Sequence, residues 1–136
     1  MAIQYSTTVR NAQLDALETA IGTAAVLKIR SGSAPANVAT ADSGTVLATM
    51  TLPSDWLAAA SGGSKAKSGT WQDASADATG TAAHFRIYAS DGTTAHIQGT
   101  VTATGGGGDL TLDNTSIASG QSVTISSFTL TAANSE

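Results

Sequence analysis

The stretch 110–130, LTLDNTSIASGQSVTISSFTL, decides the fold class of this chain. Apolar residues stand at every second position in three short runs, separated by threonine or serine: Leu110 and Leu112, Val123 and Ile125, and Phe128 and Leu130. This period of two is typical of β-strands that bury one face and expose the other. At Ser126 and Ser127 the alternation slips by one residue, which predicts a β-bulge or a bend.

The chain is long enough to fold as one domain, and it carries little charge. With its 136 residues it can bury roughly two-thirds of its unfolded surface without disulfides. Charged residues make up 12% of the sequence, about half of the usual share. The net charge is -4, so no electropositive field attracts phosphates, and we expect no nucleic-acid partner. Cysteine is absent, which excludes disulfides, thiolate catalysis and cysteine-based metal sites.

The segment 7–21 predicts an α-helix, because apolar residues recur along one side of it at helical spacing: Leu14, Leu17 and Ile21. Ser6 is placed to cap the N-terminus of this helix, and Gly22 is placed to end it. A single short helix is marginally stable alone, so its apolar stripe must dock on the sheet or on another subunit.

The helical stripe of Leu14, Leu17 and Ile21 is a candidate protein-contact surface, since an antiparallel sandwich can close without the helix. On this hypothesis the chain has an N-terminal arm and helix, 1–22, followed by a β-sandwich domain, 23–136, within a single domain overall. The alternative is that the helix caps an open end of its own sandwich.

After Gly22 the hydrophobic period changes to two. Leu27 and Ile29 alternate with basic residues and predict one strand, and the segment 46–52 predicts a second. The segment 32–44 between them has loop composition.

The middle of the chain gives weaker signals. The segment 54–57 is suited to one capped helical turn. The small, polar segment 62–80 is either a long excursion or an edge strand. Its basic pair, Lys65 and Lys67, is expected in a solvated loop.

The segment 83–101 gives the clearest hairpin signal. A three-residue loop at 91–93, with Gly92 in the left-handed region, pairs apolar with apolar positions, whereas a two-residue turn would place polar groups on the core face. The predicted cross-strand pairs are Ile87 with Ile97 and Phe85 with Gly99. The outer face of the hairpin would then expose Arg86, Tyr88, His96 and Gln98.

No motif in the sequence indicates catalytic chemistry. His84 and His96 fall on one face of the hairpin, but no third histidine or carboxylate is spaced to complete a metal site. The four glycines at 105–108 lack the Gly-Lys-Ser/Thr of a phosphate loop and predict a flexible loop tip. No nucleophile-elbow sequence flanks a serine. We expect no metal, no cofactor and no enzymatic activity.

The recurring turn signals among short strands predict an all-β fold: an antiparallel β-sandwich or jelly roll with one short N-terminal α-helix. Trp56 and Trp71 are expected to anchor its core; the alternative is that they form a sugar-stacking platform with Tyr88. The N-terminal segment lacks the features of a secretory signal, and no apolar run approaches the ~20 residues that cross a bilayer, so we expect no membrane partner.

Three longer segments carry a family resemblance: YSTTVRNAQLDALETAIG, GTAAHFRIYASDGT and GGGGDLTLDNTSIASGQSVTISSFTLT. They resemble a group of small proteins encoded by tailed bacteriophages and prophages of proteobacteria, and the similarity runs over about residues 5–132. None of these motifs is a catalytic signature, so no active residue is carried over to this chain.

The resemblance implies a virion structural protein that is made in the host bacterial cytoplasm and assembled onto the particle. Its partners would be other virion proteins, either the major capsid protein or tail components, and it would form homo-oligomers. A surface of neutral small residues suits repeated protein contacts, because desolvating neutral groups costs less than desolvating charges. We expect a capsid decoration or cement protein; the alternative is a tail- or fibre-associated adhesin or carbohydrate-binding module.

Overall fold

A five-stranded sheet forms the centre of the fold. The computed structural model describes residues 2–135, and its elements in chain order are α1 (Thr7–Ile21), β1 (Val26–Arg30), β2 (Val46–Thr51), β3 (Ser64–Ala66), β4 (Trp71–Asp73), β5 (Gly80–Thr81), β6 (His84–Tyr88), β7 (Ala95–Ala103), β8 (Leu110–Leu112), β9 (Ser116–Ile117), β10 (Val123–Ile125) and β11 (Thr129–Thr131). The central sheet has the order β2-β1-β6-β7-β8, and β10-β4, β11-β3 and β5-β9 form separate pairs.

The protein is therefore mostly β, with one short N-terminal helix and a curled multi-strand sheet. Every strand pair is antiparallel except β7 and β8, which run parallel within the described residues. The expectation of a purely antiparallel sheet is wrong at this one pair.

The glycine segment between β7 and β8 explains how two neighbouring strands can be parallel with so short a connection. The chain turns back along β7: the Gly108 N–H donates to Thr102 Oγ1 at 3.0 Å, and the Thr100 N–H donates to Asp109 Oδ2 at 2.9 Å. A Cβ on Gly108 would lie 2.9 Å from the Thr102 backbone nitrogen. The prediction of a flexible tip is wrong for Gly106 and Gly108, because both pack against β7, where a Cβ would lie within 3.0 Å of Thr102 or Ala103; Gly105 and Gly107 have open space around them.

The hairpin of β6 and β7 confirms the predicted register, with Ile87 opposite Ile97 and Phe85 opposite Gly99. Gly92 has a φ of 71°, as its predicted place in the turn requires. The turn itself is one residue longer than predicted, because the Ala89 N–H donates to the Thr94 carbonyl. A bulge at His96 absorbs the extra residue, since Tyr88 pairs with Ala95.

The core lies against one face of the central sheet and is closed by the short strands. Trp56 and Trp71 are fully buried, as predicted, and their rings lie 6.1 Å apart. The alternation of the stretch 110–130 is also confirmed: Leu110, Leu112, Val123, Ile125 and Phe128 are buried, and Leu130 is partly buried. The slip at Ser126 and Ser127 lies where the chain changes partner, since β10 pairs with β4 and β11 pairs with β3.

Helix α1 has the predicted bounds. The Ser6 side chain accepts a hydrogen bond from the Val9 N–H, and the Gly22 N–H donates to the Glu18 carbonyl, so both predicted caps are confirmed. The helical turn expected at 54–57 is wrong: the chain bends at Ser54 and Asp55 without forming a helical turn, and Leu57 forms a β-bridge with Lys67. The segment 62–80 supplies β3, β4 and the first residue of β5 rather than one excursion.

Candidate functional site

The hairpin face that the sequence predicts to be exposed is largely covered. Arg86 is 2% exposed and Tyr88 is fully buried, whereas His96 is exposed and Gln98 is half-buried. The prediction of an exposed face is thus wrong for Arg86 and Tyr88. The cause is the long loop 31–45 between β1 and β2, which folds back over this side of the sheet and binds its polar side chains.

Loop 31–45 is attached to the sheet through its backbone carbonyls. The Arg86 guanidinium donates to the Asn37 carbonyl at 3.0 Å, and the Gln98 amide donates to the Pro35 carbonyl at 2.9 Å. The His84 Nδ1 lies 2.7 Å from the Gly32 carbonyl; because a carbonyl only accepts, this nitrogen carries the proton. The strands therefore present donors, and the loop presents the acceptors.

Asp42 is the only charged group that the loop contributes. Its carboxylate accepts hydrogen bonds from Arg86 at 2.8 Å, from Arg30 at 2.9 Å and from the Tyr88 hydroxyl at 2.9 Å. Burial opposes ionisation of Asp42, but the Tyr88 hydrogen bond and the two guanidiniums outweigh it, so the pKa of this carboxyl lies below its ordinary value. Burial, followed by the bond to Asp42, raises the pKa of Tyr88.

We call this set the loop clamp: Arg30, Asp42, His84, Arg86, Tyr88 and Gln98. Two guanidiniums share one carboxylate, so the clamp retains positive charge inside the protein. Two of its buried nitrogens, Arg30 Nε and His84 Nε2, have no hydrogen-bond partner among residues 2–135. The pair is chemically complementary, since the first donates and, in a neutral ring protonated at Nδ1, the second accepts. The clamp holds loop 31–45 in place.

The two histidines that the sequence places on one face do not meet in a site. His84 is buried in the loop clamp, and His96 is exposed at the bulge of β7. Among residues 2–135 no group of three or more metal-binding side chains lies together.

The apolar stripe of α1 packs against the rest of its own chain. Leu14 and Ile21 are buried, and Leu17 packs partly buried against the core. In this single chain the stripe is therefore not a free contact surface, which agrees with the alternative in which the helix caps its own β-domain.

Lys65 on β3 holds the helix in this position. It is 2% exposed and forms ion pairs with Asp15 at 2.7 Å and Glu18 at 3.0 Å. The expectation of a solvated Lys65 is wrong, because the two carboxylates on α1 compensate its burial. Desolvation acts against the charged amine, but the hydrogen bonds and charges of Asp15 and Glu18 prevail and raise the pKa of Lys65. The Arg10 guanidinium adds a second attachment through the Ala132 carbonyl.

None of the six basic side chains is exposed. Four are buried and two are half-buried, and each donates a hydrogen bond within the chain: Arg10, Lys28, Arg30, Lys65, Lys67 and Arg86. By contrast, seven of the nine described acidic residues are exposed: Asp15, Asp42, Asp55, Asp77, Asp91, Asp109 and Asp113. The ionic charge on the described surface is thus almost entirely carboxylate, set among neutral hydroxyl and amide groups.

A cleft of about 490 Å³ opens between β7 and β11. It is lined by apolar and polar groups together: Phe85, Ile97, Gln98, Gly108, Asp109, Phe128, Thr129, Leu130 and Thr131. Phe85 and Phe128 are buried, and Asp109, Thr129 and Thr131 are exposed. The cleft therefore has an apolar floor and a polar rim.

The alternative of a sugar-stacking platform is wrong, since Trp56, Trp71 and Tyr88 are all fully buried. No helix in the described part of the chain is long and apolar enough to cross a membrane. Comparison of the chain with protein families, with curated proteins and with solved structures finds no match.

Proposed function

We propose that this protein is a bacteriophage virion structural protein, and within that class a capsid decoration or cement protein that stabilises the head by repeated protein contacts. Three quoted segments of the sequence resemble small proteins of tailed phages, as set out above. In this role the strands would act as a small β-sandwich or jelly roll, with α1 packed on it.

The observation that carries the proposal is that every lysine and arginine side chain donates a hydrogen bond within the chain and none is exposed. Six cations are engaged within the chain, and the described surface presents neutral groups and carboxylates. Such a surface has little attraction for nucleic acid or for anionic lipid. Neutral groups can be desolvated against a partner protein at low cost, which favours a non-enzymatic contact role on the particle.

The alternative is a tail- or fibre-associated adhesin. Its support from sequence is two aromatic residues, Trp71 and Tyr88, together with the Gly-rich loops, and the burial of Trp71 and Tyr88 removes the aromatic part of that support. A head protein and a tail protein differ most simply in their copy number on the particle.

The test is the copy number of this chain in purified virions. Phage particles are induced from a bacterium that encodes the chain, purified on a density gradient and quantified by mass spectrometry against the major capsid protein. The proposal predicts an abundance comparable with that of the capsid protein. A few copies per particle would favour the tail alternative, and absence from particles would refute a virion role.

A further inference from the structure

We propose that the cleft between β7 and β11 accepts an extended segment of a partner protein as an added β-strand. The cleft volume of about 490 Å³ lies in the range of protein binding sites. Its floor is the edge-to-face contact of Phe85 and Phe128, with ring centroids 5.7 Å apart. Its walls are two strands that do not pair with each other. The inference rests on the proposed function only in taking the partner to be another virion protein.

The β11 wall presents an unpaired strand edge. The Lys67 N–H donates to the Phe128 carbonyl at 2.8 Å, which fixes the alternation of hydrogen bonds along the β3–β11 pair. The backbone N–H and C=O groups of Thr129 and Thr131 consequently point away from β3. Outside β3, the described residues offer these groups no backbone hydrogen bond.

The part of β7 before Val101, where β8 has not yet begun, presents a second open edge. The Val101 N–H donates to the Ala83 carbonyl at 3.0 Å, so odd-numbered residues of β7 bond towards β6. The Thr100 N–H points the other way and donates to Asp109 Oδ2. The backbone of Gln98 shares this outward direction, and β8 begins to cover β7 only at Val101.

A β-strand placed between these edges would form hydrogen bonds on both sides. Open strand edges pair readily with extended peptides, and the side chains of such a peptide alternate between two faces. Every second side chain would lie over the Phe85–Phe128 floor, where apolar groups are favoured. The intervening side chains would face solvent.

The carboxylate of Asp109 at the rim of the cleft favours a partner segment that carries positive charge. Asp109 Oδ2 accepts hydrogen bonds from Thr100, but Asp109 Oδ1 accepts none from the described residues. No basic side chain lines the cleft. The complementary segment therefore carries a lysine or arginine that reaches Asp109. A second copy of this chain has no unengaged basic side chain among its described residues, so the geometry points to a different protein as the partner.

The probe is a synthetic peptide, acetyl-KTVTVTK-amide, titrated into the ¹⁵N-labelled full chain and followed by NMR. We expect saturable binding with the largest amide shifts at Gln98, Thr129 and Thr131. Replacing both peptide lysines by glutamate should weaken binding, and Asp109→Asn should weaken binding of the lysine peptide about two- to fivefold. A peptide with N-methylated threonines should bind much more weakly, because it lacks the backbone donors towards one of the two strand edges.

Thr129→Pro and Thr129→Ala form a matched pair of protein variants. Proline removes the outward N–H of an edge strand and leaves the bonds to β3 intact, so the chain should fold and bind the peptide about two- to tenfold more weakly. Alanine keeps the N–H and should bind like the original chain.

Three results would overturn the inference. One is the lack of saturable binding up to millimolar peptide, and another is binding that ignores both N-methylation and the lysine replacement. The third is concentration-dependent self-association that Thr129→Pro abolishes, which would make a second copy the occupant, with the exposed Ile3 segment as its candidate strand. A negative peptide result together with a high virion copy number would leave the proposed function standing.

Discussion

On one face of the central sheet, β1 and β6 bury aliphatic and aromatic side chains against the core. On the other face, the same two strands bury arginine, histidine and tyrosine side chains under loop 31–45. All five residues of β6 are buried, although their polarity alternates. Alternation in sequence therefore identifies the two faces of a strand but does not decide whether the polar face meets water or another part of the chain.

The two faces also differ in what they contribute to stability. Each fully buried aliphatic or aromatic side chain stabilises the fold by roughly 1.5–3 kcal/mol. A hydrogen bond in the polar face adds only about 0.5–1.5 kcal/mol net, but removing one partner leaves a buried charge unpaired. The apolar face therefore supplies most of the stability, and the loop clamp fixes one conformation of the loop.

The largest effect is expected from a charge placed in the apolar core. Ile87→Asp and Ile125→Asp each bury an unpaired carboxylate and should abolish cooperative folding. Thr124→Asp is the control, because Thr124 is exposed between two buried residues of the same strand. Circular dichroism during heating separates the outcomes; soluble, cooperatively melting Ile87→Asp or Ile125→Asp protein would refute the assignment of the core face.

Breaking the loop clamp should have the next largest effect. Arg86→Met leaves Asp42 with one guanidinium fewer and removes the donor to the Asn37 carbonyl. We expect the free energy of unfolding to fall by about 2–3 kcal/mol. This is less than the loss for breaking a fully buried ion pair, because Asp42 is partly exposed. Urea denaturation measures it. Lys67→Met is the control and should cost less than about 1 kcal/mol; equal losses would mean that the clamp adds nothing.

A side chain in the glycine segment should destabilise the β7–β8 connection. The Cβ of Gly108→Ala would press on the backbone of Thr102, and overpacking of this kind costs about 1–3 kcal/mol. Gly105→Asn is the control, because Gly105 has a φ of 88° and open space around it, and asparagine tolerates that conformation. If both variants melt like the original chain, the segment is a flexible tip after all.

The smallest effect concerns pH. The pKa of Asp42 is lowered in the folded protein, so its contribution to stability is present above the unfolded value of about 3.9 and is lost as the pH falls through the folded pKa. Asp42→Asn should therefore be less stable than the original chain by about 0.5–1 kcal/mol at pH 6, with a smaller difference at pH 3. Urea titrations at the two pH values test this, with Asp113→Asn as the control. A difference in stability between Asp42→Asn and the original chain that grows as the pH falls would contradict the predicted direction of the pKa shift of Asp42.

The elements that the sequence predicts correctly depend on near neighbours in the chain. Helix α1 is defined by Ser6, Gly22 and a stripe of three residues, and the hairpin register follows from matching two adjacent strands. The loop clamp depends on contacts such as Arg86 with Asp42, which lie far apart in sequence and which no local period encodes. One signal was available: a loop as long as 31–45 between two paired strands is uncommon unless it packs on something.

The burial of Lys65 and the parallel direction of β8 also depend on contacts that local sequence patterns do not encode. The burial of Lys65 requires two helical carboxylates from another part of the chain, although their spacing of three residues already places Asp15 and Glu18 on one side of α1. The parallel β8 depends on glycines packing against β7, and a run of glycines looks like a flexible tip when only composition is considered.

The most direct test of the covered polar face is the reactivity of its two histidines. The sequence places His84 and His96 on the same side of the hairpin, but loop 31–45 buries only the first. Diethyl pyrocarbonate treatment of the native chain, followed by peptide mass spectrometry, should modify His96 rapidly and leave His84 unmodified, with both modified in denaturant. Equal modification of the two histidines in the native protein would show that the loop does not cover the sheet.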